Sequence, residues 1–126
     1  LTLLKVATEC NLKIGIVTSN MSYLAAAWVN RLNIESNIDI IIGGDTVNLG
    51  KPHPEPYLSA LQQTRCLASR SFAVEDSLTG IRAADAAGLK SFFLSDVNDP
   101  RLHNTINVKN LDEVSSIILS SYQNGF

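Results

Sequence analysis

Four short apolar runs that alternate with helical segments predict an α/β fold: a doubly wound parallel sheet with helices on both faces. The runs are "KIGIVT" (13–18), "IDIIIGG" (38–44), "SFAVE" (71–75) and "SFFLS" (91–95). Beyond their first residues they are almost continuously apolar, as strands are when both faces are covered. Strands alternating with helices imply βαβ units with right-handed crossovers.

The elements follow in order. The chain opens "LTLLKVATEC", where Leu1, Leu4 and Ala7 share one face of a helix. It has no initiator Met and is already in helical pattern, so it reads as cut from within a larger protein. After the first strand, "MSYLAAAWVNRLN" (21–33) predicts a helix capped by Asn20 or Ser22. Leu24, Trp28 and Leu32 repeat at i, i+4 and i+8, which marks Trp28 as a packing residue. The stretch "GKPHPEP" (50–56) places three prolines in five residues behind Lys51. Residues before proline are pushed toward extended backbone, so the segment reads as a stiff extended rod aiming the lysine in one direction. It also reads as a surface turn leading into the next helix. That helix, 55–68, opens on proline, as first turns allow, and carries Cys66 in its core. The next, 79–87, is stopped by Gly88. The last covers 111–121.

The 126 residues suffice for one domain and one core. Twelve acidic and ten basic residues, in no long like-charge run, give no footprint for nucleic acid or an anionic membrane. No apolar run approaches the roughly 20 residues of a membrane span. Cys10 and Cys66 lack metal-type spacing, and no secretory signal is visible. They read as reduced thiols of a cytoplasmic protein.

Function in such sheets gathers beyond the carboxyl ends of the strands. Those ends read Thr18-Ser19-Asn20, Gly43-Gly44-Asp45, Glu75-Asp76-Ser77 and Ser95-Asp96. In "AVEDSLTGIRAADAAGLK" (73–90), two adjacent carboxylates leave a buried strand and enter a helix. Carboxylate oxygens suit Mg²⁺, which takes one or two protein carboxylates and keeps several waters. Asp76 or Ser77 equally serves as a helix cap. In "GIVTSN" (15–20), a hydroxyl at a strand end precedes the free N–H groups of a helix start. This is an anion site or an ordinary Ser/Asn cap. His53 reads as fixed by its flanking prolines, Gly80 as a close-approach position, and His103 as a surface residue.

Together, "GIVTSN", "GKPHPEPY" and "VEDSLTGIRAADAAGL" resemble the second, third and fourth motifs of the haloacid dehalogenase-like superfamily, in order and over nearly the whole chain. They look most like its phosphoglycolate phosphatase and β-phosphoglucomutase branch. The resemblance implies a Mg²⁺-dependent phosphatase or phosphomutase-like enzyme that acts on a small phosphorylated metabolite through an aspartyl-phosphate. It implies that Thr18 binds the phosphoryl group with help from Ser19 and Asn20. Lys51 would neutralise phosphate and nucleophile charge, and Glu75 and Asp76 would hold Mg²⁺. The family's first motif, Asp-x-Asp-x-Thr/Val, which supplies the nucleophile, is absent from the 126 residues. So is the cap domain that selects substrate. The chain is then expected to be the C-terminal part of the core, without the central strand and inactive alone. A segment preceding it in the same protein would complete it. A different reading is a non-catalytic domain of this fold that binds phosphate or a protein partner.

Overall fold

The computed structural model describes residues 2–123, so Leu1 lies outside the described residues. The elements are α1 (Thr2–Glu9), β1 (Gly15–Val17), α2 (Ser22–Arg31), β2 (Ile40–Ile42), α3 (Glu55–Thr64), β3 (Phe72–Glu75), α4 (Leu78–Ala86), β4 (Lys90–Leu94), β5 (Thr105–Val108) and α5 (Leu111–Gln123). All strand pairings are parallel. The predicted α/β class and the four predicted strands are present. The fifth, β5, is short and alternates polar with apolar residues, as a half-exposed edge strand does. That pattern left it hidden in a polar stretch.

The strands form two sheets, β1-β2 and β3-β4-β5. β1 and β3 are not hydrogen-bonded to each other. Between the two sheets lies a cleft of about 1160 Å³, walled by Ile16 and Val17 on one side, Ala73 and Val74 on the other, with Tyr57 and Cys10. Side chains of β3 alternate between two cores. Phe72 and Val74 join α1 and α5 around Phe92, Val114 and Ile118. Ala73 joins α3 and α4 around Tyr57, Ala83, Ala84 and Leu89. Glu75 shares the parity of Ala73 and so points to the α3–α4 side.

Four helices stop in the same way. Asn11, Asn33, Arg65 and Gly88 are left-handed, with φ of 58°, 55°, 58° and 85°. In each case the next residue donates its amide five positions back: Leu12 to Ala7, Ile34 to Val29, Cys66 to Leu61 and Leu89 to Ala84. These are Schellman closures with an apolar residue after the left-handed one.

Two expectations fail locally, and one open alternative is decided. The helix expected over 55–68 ends at Thr64 because Arg65 turns it, so Cys66 lies beyond the helix and lines the cleft. Trp28 is not a packing residue. It is 60% exposed, with the Arg31 guanidinium 5.8 Å from its ring centre, and Leu24 and Leu32 are exposed beside it. Val29 is the buried residue of α2, so the inward face of that helix lies beside the i, i+4 stripe. The proline stretch is a turn and not a rod. His53 N donates to Gly50 O (3.0 Å), the Lys51–Pro52 bond is cis, and Pro54 has helical backbone at the start of α3.

Candidate functional site

Lys51 is the junction of the site. Its Nζ donates to Val17 O at the end of β1 (2.9 Å) and to Glu75 Oε2 at the end of β3 (2.6 Å). One side chain thus spans the mouth of the cleft between the two sheets. The pair is nearly covered, with side chains 9% and 8% exposed. A buried carboxylate needs such partners, because water no longer solvates it. Tyr57, on the first turns of α3, donates its hydroxyl to the same Glu75 oxygen. Burial first, and then the Glu75 charge, raise the Tyr57 pKa far above its usual value, so the phenol stays a donor. Lys51 Nζ also stands 5.5 Å from the Tyr57 ring centre. On the other side of Glu75, a Cβ on Gly80 would come within 2.0 Å of Oε1. A glycine in the first turn of α4 lets the helix pass over the carboxylate.

The loop at the end of β1 is built from its own hydroxyl and from β2. Thr18 N continues the ladder to Ile42 O (2.9 Å), and Thr18 Oγ1 accepts from Asn20 N (3.1 Å). The α2 cap is neither Asn20 nor Ser22. The Asp45 carboxylate reaches over from the turn after β2 and accepts both Ser22 N and Ser22 Oγ, each at 2.7 Å. Those bonds hold its pKa below the usual carboxylate value. The helix start therefore already has its anion. The Ser19 amide donates to nothing among the described residues.

Asp76, next to Glu75, is exposed and makes no hydrogen bond among the described residues. The α4 cap is Ser77, whose Oγ accepts from Gly80 N (3.1 Å). Asp76 is thus not used as a cap. No group of three or more His, Cys, Asp and Glu side chains gathers among the described residues. Glu75 and Asp76 are adjacent in sequence, one covered and bonded to Lys51 and Tyr57, the other open, and carboxylate oxygens are the donors that a hard cation takes. His53 is exposed, and its Nδ1 accepts from Glu55 N (3.0 Å). Glu55 in turn accepts Asn48 N and Leu49 N, which fastens the turn carrying Lys51. His103 lies exposed far along the chain, as expected.

Sequence reading left out Tyr57, the Val17 carbonyl and the role of Asp45. Tyr57 had a signal, since it closes "GKPHPEPY" six residues after Lys51 and so falls on the first turns of a helix that the lysine precedes. A backbone carbonyl has none. Asp45 caps a helix 23 residues earlier, a contact that no local pattern reveals.

Lys51 joins the carboxyl ends of two parallel strands, with Thr18 following one and Asp76 following the other. A profile of haloacid dehalogenase-like hydrolases matches residues 1–94, and the chain belongs to this family. Its relatives place it in the branch of phosphoglycolate phosphatases, sugar-phosphate phosphatases and β-phosphoglucomutases. It is 33% identical over 82 residues to a phosphorylated carbohydrates phosphatase of Thermotoga maritima, covering 65% of this chain and 38% of the relative. It is 36% identical over 84 residues to a phosphoglycolate phosphatase of Salmonella choleraesuis, covering 67% and 33%. The chain thus spans about a third of the length of these relatives. Among solved structures, a HAD-superfamily hydrolase of Ehrlichia chaffeensis superimposes with a TM-score of 0.81 at 25% identity, over 94% of this chain and 55% of the other. A HAD-hydrolase of Bacillus subtilis, solved bound to magnesium, shares the fold with a TM-score of 0.77 at 19% identity, over 90% and 52%.

Proposed function

We propose that these residues are the phosphate- and metal-binding part of a Mg²⁺-dependent phosphohydrolase, a phosphatase or phosphomutase-like enzyme of the cytoplasm that acts on a small phosphate monoester. The observation that carries the reading is Lys51, which joins the end of β1 to the acidic end of β3. In this reading the Thr18 hydroxyl and the Ser19 amide receive the phosphoryl oxygens, and Asn20, whose N–H is spent on Thr18 Oγ1, shapes the loop around them. Lys51 offsets their charge as a compact, fixed cation. Glu75 and Asp76 hold Mg²⁺, which when bound neutralises charge on the phosphoryl group. Glu75 also restrains Lys51, and Tyr57 restrains Glu75, so a charged constellation is ordered before substrate arrives.

The 126 residues contain no Asp-x-Asp sequence. The attacking carboxylate, and the aspartyl-phosphate that it forms, therefore come from chain outside them. We place that segment in the cleft between β1 and β3, as an extended strand pairing with both. Residues 1–126 are then the C-terminal part of a core domain, and substrate choice belongs to the rest of the protein. The small-metabolite class follows the relatives, which are phosphatases of phosphoglycolate and phosphorylated carbohydrates.

The test uses the purified chain with Mg²⁺ and a generic phosphate monoester. We expect inorganic phosphate to bind, Lys51→Ala to abolish that binding, and hydrolysis to stay at background, because positioning groups without a nucleophile supply only part of the rate enhancement. Sustained Mg²⁺-dependent turnover that Lys51→Ala leaves unchanged would overturn the mechanism.

A further inference from the structure

We infer that Asp45 is a positioning residue: its carboxylate, reaching from the turn after β2 to both polar groups of Ser22, holds the Thr18-Ser19-Asn20 loop in the shape that receives phosphate. The inference rests on the phosphate reading of that loop.

Three contacts tie the segment 43–45 to the segment 19–22. Asp45 Oδ1 accepts Ser22 N and Oδ2 accepts Ser22 Oγ, each at 2.7 Å. Gly44 N donates to Asn20 O at 2.8 Å. The two backbones lie so close that only glycine fits. A Cβ on Gly43 would stand 2.5 Å from Ser22 N, and one on Gly44 would stand 2.5 Å from Ser19 O. The "GGD" that follows β2 is therefore a clamp. Its glycines admit the neighbouring loop and its aspartate fastens it. Among loop residues, Asn20 N is spent on Thr18 Oγ1 (3.1 Å), and Ser22 N is spent on Asp45. The Ser19 amide, without an acceptor among the described residues, lies between Thr18, whose N donates to Ile42 O, and Asn20, whose O accepts from Gly44 N. Its direction is set by how firmly the loop is held on both sides. Asp45 also occupies the start of α2 with a carboxylate, so the helix end is closed to a second anion and phosphate is directed to Thr18, Ser19 and Lys51.

The fastening depends on acceptor geometry. Asparagine keeps an oxygen for Ser22 N and can donate its amide to Ser22 Oγ, whereas alanine loses both contacts. Inorganic phosphate is titrated into the wild-type chain and into Asp45→Ala, Asp45→Asn and Ser22→Ala, with amide resonances as the readout and amide exchange recorded without phosphate. We expect Asp45→Ala to weaken phosphate binding about tenfold and to speed exchange at Gly44 and Ser22 about tenfold, as for loss of two hydrogen bonds. Asp45→Asn should stay within about threefold of wild type in both measures, and Ser22→Ala should lose about threefold in binding while retaining the fold. Unchanged phosphate affinity and exchange in Asp45→Ala overturn the inference. So does an Asp45→Asn chain as weak as Asp45→Ala, which would make charge and not shape the cause. If Asp45→Ala does not fold, Ser22→Ala decides, and wild-type affinity and exchange in it overturn the inference. If the wild type itself binds no phosphate, the phosphate reading fails, and the exchange rates still report separately whether Asp45 holds the loop.

Discussion

Gly80 sets two opposing effects against each other. Alanine is the better helix former by roughly 1 kcal/mol. Here its Cβ would meet the Glu75 carboxylate at 2.0 Å, and that carboxylate is held by Lys51 and Tyr57. Moving it disturbs a covered ion pair, and breaking such a pair costs about 3–5 kcal/mol. The clash therefore wins, and Gly80→Ala is expected to lower the urea midpoint and not raise it. Lys51→Ala should cost about the same 3–5 kcal/mol, because it leaves Glu75 covered with only a neutral donor. Asp99 offers a pH test. Its carboxylate bonds Arg101 (3.0 and 2.8 Å) and Arg82 (3.5 Å), and the Arg101 bonds above all, with the longer Arg82 bond adding to them, hold its pKa well below the usual carboxylate range. A group whose folded pKa is depressed contributes stability above its unfolded pKa of about 3.9 and loses it as pH falls below that value. Urea midpoints at pH 7 and pH 3 should therefore lie closer together in Asp99→Asn than in wild type.

At the scale of elements, the four Schellman closures are chemically unequal. Asparagine and glycine tolerate a left-handed backbone, but Arg65 at φ 58° does so at a cost of roughly 1–2 kcal/mol. Glycine there removes that strain and gives part of it back as entropy of the unfolded chain. Arg65→Gly should then raise stability by about 0.5–1 kcal/mol, read as a higher melting temperature. The same residue explains what sequence reading could and could not reach. Gly88 announces a helix end, and an arginine does not, so the third helix was expected four residues too long. The strands were legible because burial on both faces leaves an unbroken apolar run. β5 was not, since Asn107 in its middle donates to Ser95 O and Val97 O, a polar duty on an edge. Of the candidate site, Thr18, Glu75 and Asp76 stood out as polar residues at the ends of apolar strands and Lys51 as the head of a proline-rich stretch, and the structure joins Lys51 to Glu75. The sequence left the stretch that delivers Lys51 open between a rod and a turn, because three prolines specify stiffness without specifying direction.

On the scale of the whole molecule, the two sheets are unevenly supported. Both core clusters are built on β3, β4 and β5 with α1, α3, α4 and α5. From β1, α2 and β2 they take only Val17, and that residue is partly buried. The β1–β2 ladder is three residues long on each strand, and α2 lies on it with most of its length exposed. Opening free energies follow buried apolar contact, so the half that carries Thr18 opens more easily than the half that carries Glu75. The molecule therefore keeps two clocks. A protease at low dose should cut first within 19–50 and leave a longer-lived piece that begins near α3, and a map of the cleavage products against time would read the two rates directly. Lys51 stands at the boundary, with one bond to each half, so each opening of the faster half costs it Val17 O and leaves it with Glu75 and Tyr57 on the slower one.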